Sequence, residues 1–229
     1  MPSETPVRPT GTGQPSSLYV ALVGAAFAHF ANAAPTVLTS EADESPVAQA
    51  GFKSWALDQV PTTEDLASRA GQLLAAGPVL LLPPWQRIEG RRSEWRNEYE
   101  SVLSACASPQ QTALLAASIP AAGLVSPMAV KFRQALAQHW RPVLVLYARN
   151  ILPGVHPQFL IATIFLRSRV AGVQLPLRMF EYSPSDDEAV VLDDFSKLLK
   201  RKGGRGELGY VLRDIPEPVI GWRSVATIP

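Results

Sequence analysis

Short apolar runs alternate with helix-patterned stretches along most of this chain, and that alternation restricts its fold more than any other feature. Pro78-Val79-Leu80-Leu81-Leu82 lies between Gly77 and Pro83-Pro84, and Val143-Leu144-Val145-Leu146-Tyr147 and Gln158–Leu166 are similarly apolar. Runs of this length with little polar alternation suit strands buried on both faces. Thr36–Thr39 and Thr112–Ile119 add two further strands. Helices are expected between them. Leu18–Ala33 follows a Ser16 or Ser17 cap and is stopped by Pro35, and Ser45–Phe52 carries Pro46 in its first turn. Leu66–Ala75 is capped by Thr63-Glu64-Asp65, and Glu94–Ala107 follows a charged loop. Another helix opens at Ser126-Pro127 and runs through Lys131, Phe132, Arg133, Leu136 and His139. Helix and strand in turn predict an α/β fold, a mainly parallel sheet with helices on both faces.

Composition changes along the chain. Residues 1–16 are rich in Pro, Ser, Thr and Gly and predict a mobile tail. Residues 17–170 hold the alternating pattern, a Rossmann-like domain. Residues 171–229 read as a small α+β C-terminal extension. It has a strand at Leu175–Tyr182, an acidic loop at Ser183–Glu188 and a helix capped by Asp193-Asp194 that ends at Lys200. A basic turn at Arg201–Gly206, a strand at Leu208–Leu212 and an extended Pro216–Pro229 follow. The apolar stretch Leu18–Ala34 reads as a buried helix, with a cleaved export signal as the alternative; no membrane span is expected. With 21 Lys+Arg against 20 Asp+Glu, the net charge is +1, which excludes a globally basic nucleic-acid binder. One Cys and three His exclude a disulfide framework and a Cys-rich zinc module.

Open parallel sheets bind ligands at the carboxyl ends of their strands. Two strand ends and a turn before the first helix carry candidate chemistry. Thr10-Gly11-Thr12-Gly13 precedes the first helix, Glu41 and Asp43 follow the first strand, and Leu82 runs into Pro83-Pro84-Trp85. A Gly-rich turn lets backbone approach a nucleoside-bearing cofactor, and a carboxylate some 20–30 residues on accepts hydrogen bonds from ribose hydroxyls. In this order the features resemble the class I S-adenosylmethionine-dependent adenine-N6 DNA methyltransferases of restriction-modification and phage-defence systems. The resemblance spans roughly residues 10–170. It implies that Gly11, Gly13, Glu41 and Asp43 bind S-adenosylmethionine, and that Pro83, Pro84 and Trp85 hold an extruded target base, Trp85 by stacking.

That family places Asn, Asp or Ser before the two prolines, where a side-chain oxygen accepts a hydrogen bond from the target amino group. Leu82 has no such oxygen. The sequence therefore predicts weak or absent catalysis by this chain alone. It points to a degenerate, accessory member of such a system, working in the cytoplasm with a protein partner, with DNA as a second candidate partner. A non-enzymatic protein-binding scaffold is the alternative.

Overall fold

The computed structural model describes residues 17–39, 53–56, 63–82, 98–106, 114–149, 159–170, 175–183 and 185–212. In chain order they form α1 (Ser17–Ala31), β1 (Thr36–Thr39), β2 (Lys53–Ala56), α2 (Thr63–Ala76), β3 (Val79–Leu82), α3 (Glu98–Ala105) and β4 (Leu114–Pro120). Next come α4 (Ala122–Val125), a 3-10 turn (Pro127–Ala129), α5 (Val130–His139), β5 (Trp140–Arg149), β6 (Leu160–Ser168) and β7 (Leu177–Glu181). The last elements are α6 (Glu188–Lys200), β8 (Gly204–Arg205) and β9 (Gly209–Leu212).

All nine strands join one sheet in the order β2-β1-β3-β4-β6-β5-β7-β9-β8. β1, β2, β3 and β4 pair in parallel, and β5 pairs in parallel with β7. β6 lies between β4 and β5 and is antiparallel to both. Its direction follows from its connection: residues 150–159 are too few for the helical crossover that a parallel pair needs. The sheet continues past residue 170, because β7 and β9 pair with each other and β7 with β5.

Side chains alternate across the sheet and build a core layer on each face. Leu38, Val79, Leu81, Leu115 and Ala117 meet α2, α3, α4 and α5 on one side. Val37, Leu80, Leu114, Ala116 and Phe165 meet α1 and α6 on the other. In α1, the buried Leu18, Tyr19, Leu22, Val23, Ala26 and Phe27 recur at helical spacing. Asn32 closes this helix, three residues before the proline. Its φ of 52° is left-handed, and its N–H donates to Ala28 O at 3.1 Å.

Two expectations need correction. Lys53–Ala56 is an edge strand that its sequence did not signal, whereas the helix expected at Ser45–Phe52 lies outside the described residues. The last helix begins at Glu188, not after Asp193-Asp194. Asp187 caps it, accepting from Ala189 N at 2.9 Å and Val190 N at 3.1 Å. The earlier start buries Val191 as well as Phe195, Leu198 and Leu199, so packing selects Asp187 over Asp193-Asp194 as the cap.

α1 is fastened to the sheet by a polar triangle in an otherwise apolar layer. Tyr19 Oη lies 2.6 Å from Ser118 Oγ and 2.9 Å from Thr163 Oγ1, which are themselves 2.9 Å apart. Ser118 and Thr163 are opposite one another on β4 and β6. Three hydroxyls bring three protons to three contacts, so each can donate once and accept once. Tyr19→Phe breaks two contacts and leaves the Ser118–Thr163 bond. A stability loss of about 1–2 kcal/mol is expected in urea unfolding. A loss below about 0.5 kcal/mol would contradict this role.

Candidate functional site

The chain passes from β1 outward to β2, then returns across β1 to form β3 on its other side. Connections from β1 and β3 thus depart in opposite directions, and that reversal opens a crevice at the strands' carboxyl ends. The two strands end level, with Thr39 opposite Leu82. In sequence, Glu41 and Asp43 follow Thr39, and Pro83, Pro84 and Trp85 follow Leu82. These five residues lie outside the described residues, as do Gly11 and Gly13. The structure therefore supplies the anchors of the candidate site and not its side-chain geometry. α1, which Gly11 and Gly13 precede, begins at the same edge: Tyr19, in its first turn, meets Ser118 near the carboxyl end of β4.

Leu82 is half-buried and packs against the α1/α6 core layer, on the same face as Leu80. Its side chain is committed to packing and carries no acceptor.

Further along this edge, a cavity of about 170 Å³ is lined by Arg149, Leu160, Glu181, Tyr182, Ser183 and Asp186. Arg149 and Glu181 are the last residues of β5 and β7, and Asp186 Oδ2 accepts from Ser183 N at 2.6 Å. One cation and two carboxylates give this cavity a mixed polarity. Below it, burial raises the Tyr147 phenol's pKa, and nearby Tyr210 and Glu181 reinforce the shift. Burial first, then Glu181, push the Tyr210 phenol up to about 12. Sequence reasoning missed this cluster. The signal was a charged residue at the end of each strand, Arg149 after the apolar Val143–Ala148 and Glu181 after Met179-Phe180.

Among the described residues, no group of three or more His, Cys, Asp or Glu is placed to hold a metal. Among the same residues, no helix is long and apolar enough to cross a membrane.

The mixed nine-stranded sheet with helices on both faces resembles the fold of S-adenosylmethionine-dependent methyltransferases, including restriction-modification subunits. The methyltransferase subunit of a type I restriction-modification system from Streptococcus thermophilus superposes with a TM-score of 0.56, at 10% identity. That match covers 88% of this chain and 56% of the subunit, so the chain spans about half of it. The type IIG restriction endonuclease BpuSI gives 0.57 at 12% identity, covering 93% of this chain and 32% of the endonuclease. A putative class I S-adenosylmethionine-dependent methyltransferase from Listeria monocytogenes gives 0.54 at 9% identity, covering 82% of this chain and 71% of that one. At these identities the likeness is one of fold. No protein-family model matches the sequence, and no curated protein matches it.

Proposed function

We propose that this chain is a degenerate, adenine-N6 DNA methyltransferase-like protein. It serves as an accessory subunit of a restriction-modification or phage-defence system in the cytoplasm. One observation carries this reading: Leu82, at the end of β3 beside the β1/β3 crevice, is an apolar side chain packed into the core. The level strand ends fit a nucleoside-bearing ligand such as S-adenosylmethionine. Gly11 and Gly13 would hold it through backbone contacts, and Glu41 or Asp43 through its ribose hydroxyls. When bound, this cofactor supplies a methyl group on a sulfonium.

Residues 83–85 retain part of a base-holding role, the Pro83 carbonyl as a hydrogen-bond acceptor and Trp85 as a stacking face. Without an acceptor from Leu82, the target amino group loses a hydrogen bond that orients its lone pair. The even charge balance supports the accessory role, because a lone DNA enzyme needs phosphate contacts to hold its duplex. A protein partner from the same system would supply them. The same charge balance suits the second reading, a non-enzymatic scaffold for protein partners.

Calorimetric titration with S-adenosylmethionine, paired with a DNA methylation assay, tests the proposal. Binding without measurable methyl transfer is expected for the native chain. Leu82→Asn is expected to raise transfer at least about ten-fold. Absence of heat at millimolar cofactor would overturn the methyltransferase reading and leave the scaffold. Rapid methylation by the native chain alone would overturn its degenerate status.

A further inference from the structure

Two arginines line one cavity at the opposite, amino edge of the sheet, with no carboxylate among the described residues that line it. Arg167 on β6 and Arg178 on β7 flank β5, which lies between their strands and contributes Val143 to the same cavity. His29 and Phe30, in the last turn of α1, line it too, together with Leu175 and Pro176. The cavity measures about 210 Å³, and none of the described residues lining it is acidic.

Main-chain carbonyls hold both guanidiniums. Arg167 Nη2 donates to Phe30 O, near the C-terminus of α1. Arg178 donates from Nε to Leu198 O and from Nη2 to Arg201 O, each at 3.3 Å, at the C-terminus of α6. The Arg178 Cζ also sits 5.6 Å from the centre of the Phe30 ring. Helix C-termini offer only partial negative charge, so these contacts orient two full cations without neutralising them. Arg167 Nε is buried and has no hydrogen-bond partner among the described residues. Beside them, the His29 pKa is lowered by burial and then by the Arg178 and Arg167 charges.

We propose that this groove is an oxyanion site for a small phosphate- or carboxylate-bearing ligand, separate from the β1/β3 crevice and independent of the function proposed above. The guanidiniums present fixed donors to the anionic oxygens. Phe30, Leu175 and Pro176 offer an apolar wall for the rest of the molecule.

Thermal unfolding of the full chain in inorganic phosphate, against chloride at matched ionic strength, tests the site. Phosphate is expected to raise Tm. His29→Glu tethers a carboxylate beside the two guanidiniums. It is expected to raise Tm in chloride and to weaken phosphate binding about ten-fold or more. Arg178→Met is expected to abolish the phosphate effect. Equal Tm in phosphate and chloride would overturn the proposal. A phosphate effect that survives both variants would also overturn it, as general salting of the fold. Titrations with acetate and with a nucleoside 5′-monophosphate identify the source. Acetate matching phosphate assigns the groove to carboxylates, and a monophosphate exceeding phosphate assigns it to phosphate monoesters; either upholds an oxyanion site.

Discussion

Arg133→Met is expected to destabilise the protein by about 2–4 kcal/mol in urea or guanidinium unfolding. Arg133 lies on α5 and is 0% exposed, an unusual position for a guanidinium. It donates to Ser126 O at 2.7 Å and to Gly123 O at 3.4 Å. Those carbonyls belong to α4 and to the residue that caps the following 3-10 turn, so one side chain ties both to α5. Burial pulls the Arg133 pKa down, and nearby Tyr147 opposes that pull. Methionine keeps much of the stem and its packing but removes every donor. Ser126 O keeps the Ala129 N–H, but a hydrogen bond from a charged donor is worth about 1.5–3 kcal/mol, and the buried Gly123 O loses its Arg133 donor as well. Arg133→Lys retains a cation with a single-point donor and should fall between the two. A change below about 0.5 kcal/mol for Arg133→Met would show that the α4 segment finds other donors without loss.

This arginine also marks where the sequence stops being legible. Within Val130-Lys131-Phe132-Arg133-Gln134 it reads as part of a polar helix face, and only the placement of α4 above it makes it a core residue. The strands β3, β5 and β6 were legible because continuous apolar runs were bounded by glycine, proline or charge. α1 was legible because its small and aromatic residues suit a buried helix. β2 was not: Lys53-Ser54-Trp55-Ala56 is short and has no two-residue period, and pairing with β1 alone makes it a strand. The direction of β6 was open to reading as well, since the ten residues between β5 and β6 are too few for a crossover. Of the candidate site, only the strand ends were legible, because its seven named residues lie outside the described residues. The carboxyl ends of β1 and β3 fall where Thr39 and Leu82 suggested, and the crevice between them follows from strand order. The amino-edge groove was illegible, because residues 29, 143, 167, 175 and 178 converge only through the order β6-β5-β7.

Alkaline pH is expected to unfold the protein before its buried tyrosines ionise. Burial pushes the Cys106 thiol from 9.0 up to about 12. The Tyr19 phenol is raised by burial, against the opposing pull of its bonds to Ser118 and Thr163. Tyr147 is raised by burial, then by Tyr210 and Glu181. All three groups are neutral acids that the fold keeps protonated, whereas the unfolded chain releases their protons at ordinary values. Above about pH 9 the native state therefore holds more protons than the unfolded state, and stability falls as pH rises. Cys106 alone removes on the order of 2 kcal/mol between pH 9 and 11. Each buried tyrosine adds a slope of the same sign above about pH 10. Against a total of about 5–15 kcal/mol, that loss is decisive. Urea midpoints measured across this range should fall steeply, with tyrosinate absorbance appearing in step with unfolding. Cys106→Ala should flatten the part of the slope that begins near pH 9, although its small cavity lowers stability at every pH. Midpoints that stay level to pH 11, or tyrosinate absorbance from a still-folded chain, would show that water reaches these groups in the native state.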